Sequence, residues 1–174
     1  MTIARKTMFE PLIETLPGFR PMREAFVEKW TGNAHNHFEA PGDLPEYLLL
    51  GDLARWLIDL LNAGSVEDVR SALVVVDRWL LEGDHYVQEA AMLGFIETLQ
   101  NNIEDDQTRQ RFFDLLGPEG QHWWKKLDRF WTKGEHLVDE RKLPAEKQAT
   151  WTISQVVNIP LWRAGRKRDG AEDE

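Results

Sequence analysis

The fold class is decided by residues 43–64, which read "DLPEYLLLGDLARWLIDLLNAG". The stretch opens like a helix, because Asp43 can cap the first turn, Pro45 lies just inside it and Glu46 follows three residues after the cap. Apolar residues fill most positions up to Gly64, and the few polar ones recur three and four residues apart in a narrow stripe. We therefore expect a central, mostly buried helix.

The same organisation continues beyond this helix as further helices joined by short turns. Gly64, Gly83 and Gly117 end successive apolar-periodic segments, and "NNIEDD" (101–106) is predicted to be a turn. About twenty residues separate successive turns, which is typical of antiparallel helical hairpins. The fifth segment is predicted to turn Trp124, Leu127 and Trp131 to one inner side. The predicted core of the unit comprises Leu50, Trp56, Leu57, Leu73, Val76, Phe95 and Leu99.

These patterns predict an all-α single domain of stacked antiparallel helices, HEAT-like in outline, over residues 1–162. No strict repeat is present, so a tetratricopeptide or ankyrin array is excluded. Residues 2–16 and 21–30 are two further predicted helices. The stretch "TWTISQVVNIPLW" (150–162) is rich in β-branched residues and is compatible with an extended C-terminal segment. Residues 163–174 are predicted to form a solvated charged tail.

The composition narrows the class of function. The formal net charge is −9, so the chain repels a phosphate backbone and nucleic acid is not an expected partner. A protein partner with a basic surface is favoured, although the charge would also serve simple solubility. There are no cysteines and no apolar stretch of membrane-spanning length. We expect a cytoplasmic protein without a signal peptide or membrane contact.

The histidines His35 and His37, separated by a single residue, are the strongest candidates in the chain for a catalytic metal site. With Glu39 or Asp43 as a third ligand they could hold zinc. However, the likeness of "HNH" to a nuclease name is only one of spelling, and the stretch has the glycine and proline of an exposed loop. The other histidines are isolated. We therefore expect no metal, no cofactor and no catalytic residue.

A second metal-related spacing, Glu-x-x-His, occurs at Glu119 and His122. Helical di-metal proteins use two copies of this motif on facing helices, whereas this chain has one. The chain also lacks the G-x-S-x-G elbow and the glycine-rich phosphate loop. These observations favour a non-enzymatic protein.

Two stretches carry a resemblance to a known family: "LLEGDHYVQEAAMLGFIETLQNN" (80–102) and "LLGPEGQHWWKKLDRFW" (115–131). Their pattern is similar to that of small bacterial helical proteins, a family that includes candidate immunity proteins of polymorphic toxin systems. The resemblance covers roughly residues 47–131. It implies an all-helical cytoplasmic protein that binds a partner, and it supplies no binding residue.

The predicted partner contacts are acidic positions at helix ends, because packing does not require them and their clustering creates a local negative field. Trp123 is the aromatic candidate, since it points away from the side of Trp124. In an antiparallel stack alternate turns lie at opposite ends, so the acidic residues need not form one patch. They fall into two groups, Glu82, Asp84 and Glu89 at one helix junction, and Glu104, Asp105 and Asp106 at a later turn.

The leading hypothesis is a non-enzymatic immunity protein that binds and neutralises a cognate toxin with a basic surface. The alternative is a helical adaptor or regulatory subunit without a toxin partner. A metal-dependent enzyme built around His35 and His37 is a distant third.

Overall fold

A computed structural model describes residues 2–34 and 43–142, and the architecture refers to these residues. The described part contains no strand and forms an all-α single domain, as predicted. A 3-10 turn at Arg5–Thr7 precedes the first helix, and another at Glu140–Lys142 follows the last. The helices are α1 (Glu10–Thr15), α2 (Phe19–Trp30), α3 (Glu46–Asn62), α4 (Val66–Glu82), α5 (His85–Glu89), a π-helical segment (Ala90–Ile96), α6 (Glu97–Asn102), α7 (Asp106–Leu115) and α8 (Pro118–Lys133).

Helix α3 lies at the centre of the core, as its composition predicted. Leu50 and Leu57 are fully enclosed, and the helix packs most extensively against the π-helical segment. The two backbones approach closely because Gly94 has no side chain. A Cβ atom there would lie 3.3 Å from Leu50 Cδ1 and 3.5 Å from the Cα of Tyr47. The absence of a side chain at Gly94 therefore lets the two helices pack closely without displacing Leu50.

Six of the seven predicted core residues of the central unit are fully enclosed, and Trp56 is the exception. Trp131, which was predicted to pack inward from α8, is also not enclosed. Trp56 is only partly buried, at the edge of the core. Trp131 is 47% exposed, whereas Trp124 and Leu127 are buried as expected. Trp131 lies near the end of α8, where its ring meets Phe130 edge-on. Helical spacing predicts the direction of a side chain, but not how far along the helix its neighbours extend.

The predicted N-terminal helix over residues 2–16 was wrong in its first half. Ile3 is extended and pairs with the junction between α4 and α5. Its N–H donates to the Glu82 carbonyl at 2.9 Å, and its carbonyl accepts from the Asp84 N–H at 2.8 Å. The indole of Trp79 also donates, at 2.8 Å, to the main-chain carbonyl two residues before α1. The partners of Ile3 hold the backbone extended up to Ala4, a 3-10 turn follows, and α1 begins only at Glu10.

The start of α8 is set by a side chain of α4. Asp77 Oδ1 accepts a hydrogen bond from the Gly120 N–H at 2.8 Å, which places a carboxylate at the positive end of the helix. A Cβ atom on Gly117 would lie 2.4 Å from Asp77 Cγ. The glycine expected at this helix boundary is thus also required by a tertiary contact.

Several predictions concern parts of the chain outside the described residues. These are the segment 150–162, the tail 163–174 and the loop containing His35 and His37. Among the helices of the described ranges, none combines the length and apolar character that crossing a membrane would require.

Candidate functional site

Asp84, one of the predicted partner contacts, has a structural role in the fold. Its Oδ1 accepts from the Val87 N–H at 2.9 Å as the N-cap of α5, and its Oδ2 accepts from the Arg5 N–H at 3.2 Å. The Arg5 side chain in turn donates to Glu46 at 2.6 Å and lies 3.9 Å from the centre of the Tyr86 ring. Substitution of Asp84 would therefore disturb the N-terminal segment as well as the surface.

Glu82 and Glu89 lie near the same junction, and each has a neighbour of opposite or titratable charge. Glu82 accepts from Arg78 at 3.1 Å. Glu89 Oε2 lies 3.5 Å from Nδ1 of the exposed His85, a pair that is ionic when the imidazole is protonated. Exposed pairs of this kind stabilise a fold by about 0–1 kcal/mol. Both carboxylates can therefore exchange their present neighbour for a partner at little cost to the fold.

The carboxylates in the turn between α6 and α7 form fewer ion pairs than those at the junction between α4 and α5. Glu104, Asp105 and Asp106 are all exposed. Asp105 is the N-cap of α7, and the hydrogen bond it accepts from the Thr108 N–H at 2.7 Å lowers its pKa. Within the described ranges no arginine or lysine forms an ion pair with Glu104 or Asp106. Three adjacent carboxylates therefore face solvent, and Glu104 and Asp106 form no ion pair within this part of the chain.

The two acidic groups lie at opposite ends of one continuous helical rod. Residues 85–102 run without a break through α5, the π-helical segment and α6. At a rise of 1.5 Å per residue the rod is about 25 Å long. The groups are therefore two separate surfaces, and each needs its own test.

Trp123 lies on a different side of α8 from Trp124, in agreement with the sequence interpretation. Its ring is half-buried at the edge of the core and meets the His122 ring edge-on, with 5.4 Å between the ring centres. Part of the indole thus remains available to a partner.

An apolar face on α4 is a further candidate surface, which the sequence interpretation missed. Val74 and Leu81 are 57% and 62% exposed, and a separation of seven residues places them on one face of the helix. The sequence indicated this face only in that Val74 is not among the α4 residues whose helical spacing directs them toward the core. An apolar centre with a charged rim is the usual anatomy of a protein interface. The rim here consists of the ion pairs Glu67–Arg70 and Arg78–Glu82.

Residues 135–141, which we call the strap, fold back along α8 after Gly134 reverses the chain with a φ of 68°. Glu135 lies 3.8 Å from Arg129, and Glu140 pairs with the buried Lys126. The strap therefore follows α8 from its end toward its beginning. The sequence interpretation did not anticipate these contacts, since they join residues whose pairing depends on the chain reversal.

The strap ends in a dense charged cluster at the start of α8. The Arg141 guanidinium donates to both oxygens of Glu119, at 2.9 and 2.8 Å, and to both oxygens of Asp139, at 2.8 and 2.9 Å. These hydrogen bonds from Arg141 hold the pKa of the buried Asp139 below its usual value. His122 lies beside Asp139 and Arg141. Its pKa is lowered mainly by burial and, as the next largest cause, by the positive charge of Arg141.

The described ranges contain no group of three or more histidine, aspartate or glutamate side chains arranged to hold a metal ion. The Glu-x-x-His motif of α8 is instead part of the charged cluster, where the Glu119 carboxylate is engaged by Arg141. His35, His37 and Glu39 lie outside the described residues.

The family model described as Domain of unknown function (DUF7674) matches residues 9–132. The match contains both acidic groups, the α4 face and Trp123, and it ends before the strap. Neither the curated proteins nor the solved structures include a match to this chain.

Proposed function

We propose that this chain, which belongs to the family described as Domain of unknown function (DUF7674), is a non-enzymatic immunity protein. It would bind a basic surface of a cognate bacterial toxin and block that toxin's activity. The observation that carries the proposal is the α6–α7 turn, where Glu104, Asp105 and Asp106 are exposed and Glu104 and Asp106 form no ion pair within the described ranges. The resemblance of residues 47–131 to a family of small bacterial helical proteins that includes candidate immunity proteins supports the same proposal.

The α6–α7 turn presents its charges on a well-anchored backbone. Ile103 is buried in the core, and the Asn102 amide donates to the Thr98 carbonyl at 2.7 Å. On the other side of the turn, Asp105 caps α7. Because the backbone is held at both ends, little conformational entropy is lost when a partner binds. The turn is therefore suited to rapid and specific docking.

In the proposed mechanism, different residues control how fast the partner binds and how long the complex lasts. Exposed carboxylates attract a basic partner over distances of several ångströms and raise the association rate. The lifetime of the complex depends on buried aromatic or aliphatic anchors. Trp123 is the proposed anchor, since part of its ring remains accessible.

Paired charge reversals test the proposal on the two surfaces separately. One variant carries Glu104→Lys and Asp106→Lys, and the other carries Glu82→Lys and Glu89→Lys. Asp105 and Asp84 are left unchanged, because they cap helices. The matched control carries Glu24→Lys and Glu28→Lys, which make the same charge change at exposed positions of α2.

The first test is whether a toxin domain is encoded beside this gene; binding to that domain is then measured, together with the survival of cells that express it. The reversal at the α6–α7 turn should slow association by about tenfold or more at low salt. The difference should shrink as salt rises, because exposed charges are screened over about 10 Å at 0.1 M. If both test variants bind and protect as well as the control, the acidic contact is refuted.

The alternative function, a helical adaptor or regulatory subunit, is favoured by the α4 face. The two ion pairs of its rim are each internally neutral, so they give the face no preference for a basic partner. The variant Val74→Ser with Leu81→Ser would separate the two functions. Loss of toxin protection would place α4 in the toxin complex. Full protection, together with loss of another cellular complex, would support the adaptor.

A further inference from the structure

Four side chains of α8 face the strap at intervals of three, four and three residues, which place them on one face of the helix. We propose that the strap is a latch on this face, held by charge, and that protonation of His122 releases it. The latch is a property of the fold and does not depend on the proposed toxin partner. The four residues are Glu119, His122, Lys126 and Arg129.

The charges of the strap complement those of α8 along the whole contact. Acidic residues of the strap lie against Lys126 and Arg129, two of the basic residues of α8, and Arg141 lies against Glu119. Arg141 also holds Asp139, so one guanidinium joins the strap to itself and to the helix. Two ion pairs complete the arrangement, Glu135 with Arg129 and Glu140 with Lys126.

Apolar packing contributes less to this contact. Leu137 is the strap residue that packs, partly buried, against the core. The side chains of Arg141, Glu140 and Glu135 are about half exposed. The exposed ends of these pairs are screened by salt, whereas Glu119, Lys126 and Asp139 are largely shielded from solvent while the strap is closed. All of these groups are charged and would meet water when the strap leaves, so the strap can open without opening the apolar core.

His122 is the group that makes the latch sensitive to pH. The charged groups facing it are Glu119 and Lys126 from α8 and Asp139 and Arg141 from the strap. Its Nε2 is buried without a hydrogen-bond partner in the described ranges, and lies 3.7 Å from Asp139 Oδ1. That distance is too long for a hydrogen bond. The closed strap therefore encloses an imidazole nitrogen whose proton would lack a well-placed acceptor.

The direction of the pH effect follows from the two states of His122. When the strap is closed, burial and Arg141 keep the pKa of His122 below the ordinary value of 6.5. When the strap leaves, the imidazole meets water and its pKa returns toward that value. The open state then binds a proton more readily, so acidification favours opening. The effect begins as pH falls through 6.5 and levels off below the lowered pKa of the closed state.

The latch is tested in the full chain by amide hydrogen exchange of Glu135, Val138 and Arg141, three strap residues whose N–H groups donate hydrogen bonds. Protection, corrected for the intrinsic exchange rate, is compared at about pH 7.5 and about pH 5.5. Protection should fall several-fold on going to the lower pH. The fall is limited to about tenfold, because the lower pH lies about one unit below the ordinary pKa of His122. Added salt should lower protection further, while amides of α3 keep their protection.

Two histidine variants test whether His122 causes the pH dependence of strap protection. His122→Gln should abolish the dependence on pH between these values and retain the dependence on salt. His136→Gln is the matched control, because this imidazole lies in the strap itself but is exposed, and it should behave as wild type. Arg141→Gln should lower protection of the strap at both pH values.

Three outcomes would overturn the latch. The first is strap protection that does not change with pH, and the second is pH dependence that persists in His122→Gln. The third is a strap without protection at any pH or salt concentration, which would mean that no closed state exists in solution. Should the histidine variant perturb folding, an NMR titration of His122 in the unmodified chain replaces it. A pKa at or above the ordinary value would then contradict the proposal.

Discussion

The contact between Asp77 and Gly117 provides a quantitative test of how α4 positions α8. In Gly117→Ala the new methyl group would lie 2.4 Å from Asp77 Cγ and 2.6 Å from both carboxylate oxygens. The φ of Gly117 is −69°, which alanine adopts readily, so the steric contact is the source of the cost. Overpacking of this kind destabilises a protein by about 1–3 kcal/mol. We expect a loss in that range.

The partner variant Asp77→Ala removes the carboxylate from the start of α8. The Gly120 N–H then loses its acceptor at 2.8 Å, and the positive end of the helix loses a negative charge. Loss of a capping side chain typically costs about 0.5–2 kcal/mol. We expect a destabilisation within this range.

The double variant separates the steric contact from the loss of the cap. With Asp77 truncated, the methyl group at position 117 has room, so the Gly117 substitution should cost about 1 kcal/mol less than in the wild-type background. Free energies of unfolding come from urea titrations with an unchanged m-value. Costs that add to within about 0.3–0.5 kcal/mol would refute the argument that Asp77 requires glycine at position 117.

Two further predictions concern the core and the histidine loop. Leu57→Ala should destabilise the protein by about 2–5 kcal/mol, because Leu57 is fully enclosed, whereas Leu48→Ala on the exposed side of the same helix should cost far less. A loss below about 0.5 kcal/mol for Leu57→Ala in urea unfolding would contradict the central position of α3. Purified protein should contain no stoichiometric transition metal by elemental analysis. About one equivalent, lost in His35→Ala with His37→Ala, would instead establish a metal site.

The sequence by itself determined the features that depend on local chemistry. The apolar character of α3 placed it in the core, because a helix with one narrow polar stripe has no other stable environment. Gly83 marked the boundary between α4 and α5, and the turn at 101–106 marked the boundary between α6 and α7, since turn and capping residues act over only a few residues. The acidic positions were likewise readable as surface, although the sequence did not show that Asp84 also binds Arg5.

Only the tertiary structure decided which elements meet. Ile3 is extended because its partners, Glu82 and Asp84, come from a distant part of the chain. Trp131 is half exposed and Val74 faces solvent because burial depends on where neighbouring helices end. The strap pairs with α8 only after the chain reverses at Gly134. Helical periodicity and caps act over a few residues, whereas these contacts depend on which distant segments fold against one another.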